Sequence, residues 1–168
     1  MTRQLQAVTE KEIHLAHQER EHQTTMRVLQ AFPPGKASFK PHDTSMTAMQ
    51  TAWMMIGMLH DPDQIMGDEM KMAGPPPIPA TWEELTAICD RTHAEFVRKV
   101  RAMPDEALNG MVRVPVARDR MEAYRRGDVL WYSLLALIHH RGQLSVYLRM
   151  VGGKVPSIYG PSGDDAGV

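Results

Sequence analysis

Apolar residues recur at helical spacing in four stretches of the chain, and polar caps and proline or glycine breaks separate these stretches. The first stretch opens with Thr9 and Glu12, which have the Thr-x-x-Glu spacing of a capping box at a helix start. Residues 32–35 read Phe-Pro-Pro-Gly and end it, because proline lacks the amide donor and clashes with the preceding turn. We therefore predict a first helix over about residues 10–31.

The second helical stretch is short and rich in methionine. Residues 43–45 offer Asp, Thr and Ser as caps for a helix that runs through Trp53 to Leu59. The His-Asp-Pro sequence of residues 60–62 marks its end. Its methionines predict a broad apolar face.

A loop-rich connection follows at about residues 60–80, where glycines and three consecutive prolines favour irregular backbone around one short helix near residues 64–72. Thr81 and Glu84 repeat the capping-box spacing, and helical periodicity continues to the Met-Pro sequence of residues 103–104. This is the third predicted helix.

The fourth helical stretch has the clearest pattern. It runs from Asp128 to Val151, with an acidic residue at its start and Gly152 and Gly153 at its end, as helix caps require. Strand signals are confined to short segments such as residues 112–116. Four helices with one long crossover predict an all-α, four-helix bundle.

A length of 168 residues is that of a single domain, which buries enough surface for one core. No internal repeat is evident. We expect one domain over residues 1–168, with an irregular tail at about residues 152–168.

Charge and composition argue against several classes of protein. Lys plus Arg number 19 and Asp plus Glu 20, so a formal charge of -1 supplies no field that would attract nucleic acid or anionic lipid. No stretch approaches the ~20 apolar residues of a bilayer-spanning helix, and polar residues follow Met1 where a signal peptide would be apolar. We expect a cytoplasmic protein. The only cysteine, Cys89, lies in an apolar helical pattern typical of a packed thiol.

The fourth helix presents a leucine seam that one charged residue interrupts. Its apolar positions follow 4,3 spacing and share one stripe, which predicts that they face the core: Leu130, Leu134, Leu137, Leu144, Leu148 and Val151. Arg141 lies within this stripe. A buried guanidinium needs a carboxylate, so Arg141 has either an acidic partner on another helix or a side chain that reaches solvent.

A second, more polar stripe lies beside the seam and is the candidate wall of a pocket. It comprises Ser133, Ala136, His140, Gln143 and Tyr147. Adjacent His139 cannot point the same way on a helix, so at most one of the two histidines faces the pocket.

Other titratable residues of the predicted helices are expected at the surface. His14 and His17 lie on a polar helix, and His93 lies among charged residues. The acidic residues of the first helix are interpreted as a solvated face: Glu10, Glu12, Glu19 and Glu21.

The sequence His-His-Arg-Gly-Gln-Leu at residues 139–144, continuing Ser-Val-Tyr-Leu-Arg, resembles the fourth-helix signature of the DinB/YfiT-like metalloenzyme family. Residues 154–164 resemble the tail of that family, and residues 45–53 resemble the start of its second helix. The resemblance implies an up-down-down-up bundle, frequent homodimers, and a three-histidine divalent-metal site that some members use in transferring low-molecular-weight thiols.

In that family one metal ligand comes from the second helix and two from the fourth, spaced i and i+4 before Arg-Gly-Gln. Here His140 occupies the last position, but the position four residues earlier is Ala136 and the second-helix position is Met54. Alanine offers no donor, and a thioether is a poor ligand for Zn, Ni or Mn. Other histidines are the candidates to replace the two missing metal ligands: His22, His42, His60 and His139.

The sequence therefore predicts a DinB-like protein without the metal site, acting as a small-ligand-binding protein or accessory homodimer, with no cofactor. The alternative is a divalent-metal-dependent transferase or hydrolase that uses His140 with substitute ligands. Phosphate-loop, nucleophile-elbow and His-Glu-x-x-His motifs are absent from the sequence.

Overall fold

The regular structure of the chain is mostly helical. The computed structural model describes residues 8–59, 62–71 and 77–167. Five α-helices and a two-stranded sheet form there: α1 (Glu10–Ala31), α2 (Ala48–Gly57), α3 (Pro62–Met66), α4 (Trp82–Ala102), β1 (Met111–Ala117), β2 (Arg120–Arg125) and α5 (Arg126–Met150). Short 3₁₀ turns cover Pro34–Lys36 and Asp105–Asn109. None of the helices within these described ranges is long and apolar enough to cross a bilayer.

The capping boxes position the starts of α1 and α4. Thr9 Oγ1 accepts a hydrogen bond from the Glu12 amide at 3.3 Å, and the Thr9 amide donates to Glu12 Oε2 at 2.8 Å, which confirms the predicted box. Thr81 caps α4 in the same way through the Glu84 amide. The Glu84 carboxylate instead accepts from the Ala80 amide at 3.1 Å, so only half of the second box forms.

Helix α2 begins later than the caps at residues 43–45 predict. Its N-cap is Thr47, whose side chain accepts from the Gln50 amide while the Thr47 amide donates to Gln50 Oε1 at 2.8 Å. The earlier segment forms a turn in which the Ser45 amide donates to the His42 carbonyl. Thr47 is preferred because Gln50 returns a second hydrogen bond to it.

Helix α5 ends in a Schellman motif, as the paired glycines predict. Gly152 has a φ of 81°, and its amide donates to the Arg149 carbonyl. The Gly153 amide donates to the Leu148 carbonyl at 2.9 Å. This pattern needs a left-handed residue after the last helical turn, which glycine adopts without strain from a side chain.

An antiparallel hairpin joins α4 to α5, so the expectation of an all-α chain was wrong in this region. Strand β1 pairs with β2 from Met111 opposite Arg125 to Ala117 opposite Arg120, with an irregularity between Pro115 and Ala117. The strand signal at residues 112–116 lies within β1. Strand β2 was not predicted because only Met121 and Ala123 supply an apolar alternation, which is too short for a clear strand signal, and four of its six residues are exposed.

The four longer helices enclose the core. Helix α1 packs on α4 and α5, and α2 packs on the same two helices. Fully buried side chains from all four fill the interior: Val28 and Leu29 of α1, Met55 of α2, Leu85 and Val100 of α4, and Leu130, Leu144 and Leu148 of α5. Cys89 is also buried, and burial raises the pKa of its thiol to about 12, so it is a packed thiol as predicted.

Two histidines that were expected at the surface lie in this core. His14 is 1% exposed, and its Nε2 lies 3.2 Å from the Leu130 carbonyl oxygen. His93 is 4% exposed and stacks in parallel on the His22 ring, with 3.8 Å between centroids. Burial lowers the pKa of His93, and the neighbouring His22 lowers it further, to about 4. The charges around it in the sequence misled the prediction, because they project from other faces of α4.

These buried rings make the stability of the fold sensitive to acid. The unfolded chain takes up a proton on His93 below about pH 6.5, whereas the folded chain does so only near pH 4. Stability is therefore present above pH 6.5 and falls as the pH drops towards 4, by about 2 kcal/mol between pH 7 and pH 5 for this residue. Urea unfolding at both pH values measures the difference.

The non-titrating variant His93→Gln should show a smaller loss between the two pH values than the wild type. Burial lowers the pKa of His14 as well, so part of the dependence should remain. Exposed His42→Gln serves as the control and should keep the full dependence. An unchanged dependence in His93→Gln would contradict the assignment.

Candidate functional site

The fourth-helix seam faces the core and the polar stripe lies beside it. Leu130, Leu134, Leu137, Leu144 and Leu148 are all buried, as predicted. On the neighbouring stripe Ser133 and Tyr147 are buried, whereas Ala136, His140 and Gln143 are half-buried.

The structure brings His140 and Gln143 together. His140 Nδ1 lies 2.9 Å from Gln143 Oε1, so the imidazole donates its Nδ1 hydrogen to the amide oxygen. The acceptor nitrogen of the neutral ring is then Nε2. Exposed His139 lies beside it, with 5.3 Å between the ring centroids.

The other pocket candidates lie along the same face without a shared polar contact. Met54 is half-buried on α2, the helix that packs against α5. Tyr147 lies one turn beyond Gln143 and makes an edge-to-face contact with Phe39, at 5.9 Å between centroids. Within the described residues, the bond between His140 and Gln143 is the only hydrogen bond that joins members of the candidate set.

Arg141 is 1% exposed and has a carboxylate partner on another helix. Its Nη2 lies 2.7 Å from Glu21 Oε2 of α1, and its Nη1 donates to the Glu21 carbonyl oxygen at 3.1 Å. Tyr159 completes a triangle: its hydroxyl accepts from Arg141 Nη2 and donates to Glu21 Oε2, both at 2.9 Å. The guanidinium thus connects α5, α1 and the C-terminal tail.

The interpretation of the α1 glutamates as a uniformly solvated face was wrong for two of them. Glu21 is enclosed with Arg141, as described above. Glu10 receives two hydrogen bonds from Arg125, at 2.7 and 2.8 Å, and one from Trp131 Nε1 at 3.1 Å. Hydrogen bonding from Arg125 lowers the pKa of the Glu10 carboxyl.

A separate cavity of about 710 Å³ opens beside the first turns of α5. Its walls come from α3, from the segment after it, from both hairpin strands and from α5: Gln64, Met70, Lys71, Val114, Pro115, Val116, Tyr124, Asp128, Val129 and Tyr132. None of the five sequence-predicted pocket residues lines it. Tyr132 lies one helical turn before Ala136, so the cavity adjoins the predicted stripe at its N-terminal end.

Backbone hydrogen bonds hold the hairpin over this cavity. The Met70 amide donates to the Arg113 carbonyl at 2.8 Å, and the Arg113 amide donates to the Asp68 carbonyl at 3.0 Å. Strand β1 is thereby paired on both edges, with β2 on one side and residues 68–70 on the other. The walls of the cavity are fixed by the main chain.

An ion cluster anchors the α5 end of the cavity. Arg125 bridges Glu10 of α1 and Asp128, whose Oδ1 lies 2.6 Å from Arg125 Nη2. Gly127 permits this approach, because a Cβ there would lie 2.6 Å from Arg125 Nη1 and 2.8 Å from Glu10 Oε1. This is a close-contact role for glycine that helical periodicity does not reveal.

Sequence reasoning missed the cavity because seven of its ten lining residues lie outside the four predicted long helices, in segments without clear periodicity. Pro115, flanked by valines, was the local sequence signal of a wall here, and the strand is irregular between Pro115 and Ala117. A proline within a run of β-branched residues is typical of an edge or a bulge, where strands turn to form walls.

The histidines considered as substitute ligands have other neighbours. His22 Nε2 lies 3.0 Å from Asp90 Oδ1, and His42 Nδ1 lies 2.9 Å from Thr44 Oγ1. His60 lies outside the described residues. Across the part of the chain that the structure describes, no three His, Cys, Asp or Glu side chains form a group that could hold a metal ion.

The fold and the signature residues together define a mostly helical, DinB-like protein. The family model of the DinB family matches residues 1–166, so the chain belongs to that family. No curated protein sequence matches it.

Two solved structures share the fold. A DinB-like protein from Bacillus cereus is 18% identical with a TM-score of 0.70, over 87% of this chain and 95% of that one. The DinB-like protein YjoA from Bacillus subtilis is 18% identical with a TM-score of 0.65, over 83% of this chain and 92% of that one.

Replacing Arg141 with methionine should destabilise the fold by about 3–5 kcal/mol, because it leaves the Glu21 carboxylate in a poorly solvated site without its cation. Arg149→Met is the matched control: it removes a more exposed pair with Asp164 and should change stability by about 1 kcal/mol or less. Denaturant unfolding of both variants provides the comparison. A neutral or stabilising Arg141→Met would show that the fold does not require the pair.

Proposed function

We propose that this DinB-family protein is a cytoplasmic, homodimeric binder of small molecules that does not hold the family's three-histidine metal site. The 710 Å³ cavity beside α5 is the observation that carries the proposal, since ligand pockets are typically concave, largely apolar and of about 300–1,000 Å³. Its valine and tyrosine walls, with a few polar groups, match that description.

The donors at the family metal positions do not fit a divalent ion. Met54 and Ala136 supply a thioether and a methyl group, which leaves His140 as one imidazole where structural and catalytic zinc sites use at least three protein ligands.

The directions of the helices support the up-down-down-up bundle that the resemblance implies. Glu10 pairs with Arg125 and Glu21 with Arg141, so α1 and α5 run parallel. His22 pairs with Asp90, whereas Lys11 Nζ donates to the Met103 carbonyl at 2.6 Å, so α4 runs antiparallel to α1.

A second copy of the chain is the proposed partner of the outer face of α5. Trp53 and Trp82 are buried, so neither is available for such an interface. The exposed stripe instead comprises Tyr132, Leu135, His139, Gly142, Val146 and Met150.

This stripe can pair with itself across a two-fold axis. In an antiparallel pairing centred between residues 140 and 141, Leu135 faces the second copy's residue 146 and His139 faces its residue 142. The His139 ring then opposes Gly142, where an added Cβ would meet no atom within 4 Å and so leaves space for the ring. The 3,4 spacing is that of a helix-pairing seam, and the interface is isologous.

Ligand binding is tested with 1-octanol, an uncharged probe with an apolar body. Nuclear magnetic resonance should show amide shifts concentrated at the cavity, in residues such as Val114 and Val129. The variant Val116→Trp, which places an indole in the cavity wall, should abolish them. Absent shifts, or equal shifts in Val116→Trp, would count against this cavity as a ligand site.

The metal proposal is tested by calorimetry with Zn, Ni and Mn. The wild type should bind no stoichiometric ion, because one imidazole does not offset the hydration of a divalent cation. Combining Met54→His with Ala136→His should create a site, whereas neither single change should suffice. Adding His140→Ala to the double variant should remove it again.

The opposite result would favour the metal-dependent enzyme with substitute ligands. Tight binding by the wild type that is lost in His140→Ala would overturn the proposal. A destabilised double variant that binds no metal would show that the added rings overpack this region, which typically costs about 1–3 kcal/mol.

The dimer is tested by sedimentation equilibrium. The wild type should be a dimer, and Leu135→Glu should shift it to monomer because a carboxylate would be placed in the seam. Met111→Glu changes an equally exposed apolar residue on β1, off the stripe, and should remain dimeric. A monomeric wild type at high concentration would refute the dimer.

A further inference from the structure

The walls of the cavity determine which molecules it can accept. Aliphatic and ring side chains form most of its surface: Met70, Val114, Pro115, Val116, Tyr124, Val129 and Tyr132. A ligand therefore needs an apolar body, since burial of apolar surface contributes about 25 cal/mol per Å².

The charges at the α5 end of the cavity balance one another. Arg125 lies against two carboxylates, those of Glu10 and Asp128. Arg126 supplies a second cation, which donates to the Gly67 carbonyl at 3.2 Å and makes no ion pair with any described residue. The four charges sum to zero, and the Asp128 carboxylate is further offset by its position in the first turn of α5.

Lys71 is the charge that remains. Lys71 is among the residues that line the cavity, and its ammonium group makes no hydrogen bond or ion pair within the described part of the chain. Its amide donates to Gln64 Oε1 at 3.1 Å, which orients the Gln64 side chain and leaves the NH₂ group as a donor. A lysine and an amide donor thus belong to the same wall of the cavity.

We propose that the cavity binds a small amphipathic anion, whose carboxylate or similar group pairs with Lys71 while its apolar body lies on the valines of β1 and α5. This inference rests on the ligand-binding function proposed above and adds the charge of the ligand to it. Lys71 and Gln64 act as the recognition residues. A ligand with an ammonium group instead of the carboxylate would face the Lys71 ammonium and the Gln64 amide donor, and neither group would pair with it.

Three probes with the same octyl chain test the sign of the charge: octanoate, 1-octanol and octylammonium. Calorimetry should show that octanoate binds to the wild type about three- to tenfold more tightly than octanol, and octylammonium more weakly than octanol. The Lys71→Gln variant should bind octanoate and octanol equally. Lys36→Gln, which removes an exposed lysine elsewhere on the chain, should keep the preference.

The outcomes distinguish the role of Lys71 from ligand binding by the cavity in general. Equal binding of octanoate and octanol by the wild type, or a preference that persists in Lys71→Gln, would overturn the role of Lys71 while ligand binding stands. Tighter binding of octylammonium would overturn it too and indicate Asp128 as the recognition group. If no probe binds, octanol included, the ligand-binding function itself fails.

Discussion

A guanidinium inside a leucine seam is stable only when a carboxylate neutralises it, and in this chain that condition holds α1 and α5 in register. Arg141 meets Glu21 across the seam, and the Tyr159 hydroxyl joins both from the C-terminal tail. A second pair, Glu10 with Arg125, fixes the same two helices near their N-termini. Two ion pairs about three helical turns apart on α1 therefore set the relative position of the helices that frame the candidate site.

The hairpin takes its position from this frame. Strand β2 runs directly into α5, so the Arg125 cluster that anchors the helix also anchors the end of the strand. Pairing of Arg113 with residues 68–70 then fixes the opposite edge of β1. The cavity lies between these two attachments, which places apolar side chains of the hairpin opposite the first turns of α5.

The two buried histidines of α1 and α4 have a different consequence. His14 and His93 occupy positions where aliphatic side chains would also fit the helical pattern, and burial keeps both rings neutral near pH 7. Neutral imidazoles can be enclosed because their hydrogen bonds to backbone need no counterion. The arrangement ties the stability of the bundle to pH.

The sequence by itself determined the elements whose signals are local. Capping at Thr9 and Thr81, the glycines after α5 and the seam around Arg141 depend on residues within one or two turns, and so did the family signature at residues 139–144. Tertiary structure alone decided which acid met Arg141, which histidines were buried, and where a cavity opened. Those outcomes depend on residues such as Glu21, His93 and Val114 meeting partners far along the chain, and a periodic pattern shows which face of a helix is apolar without showing what lies against it.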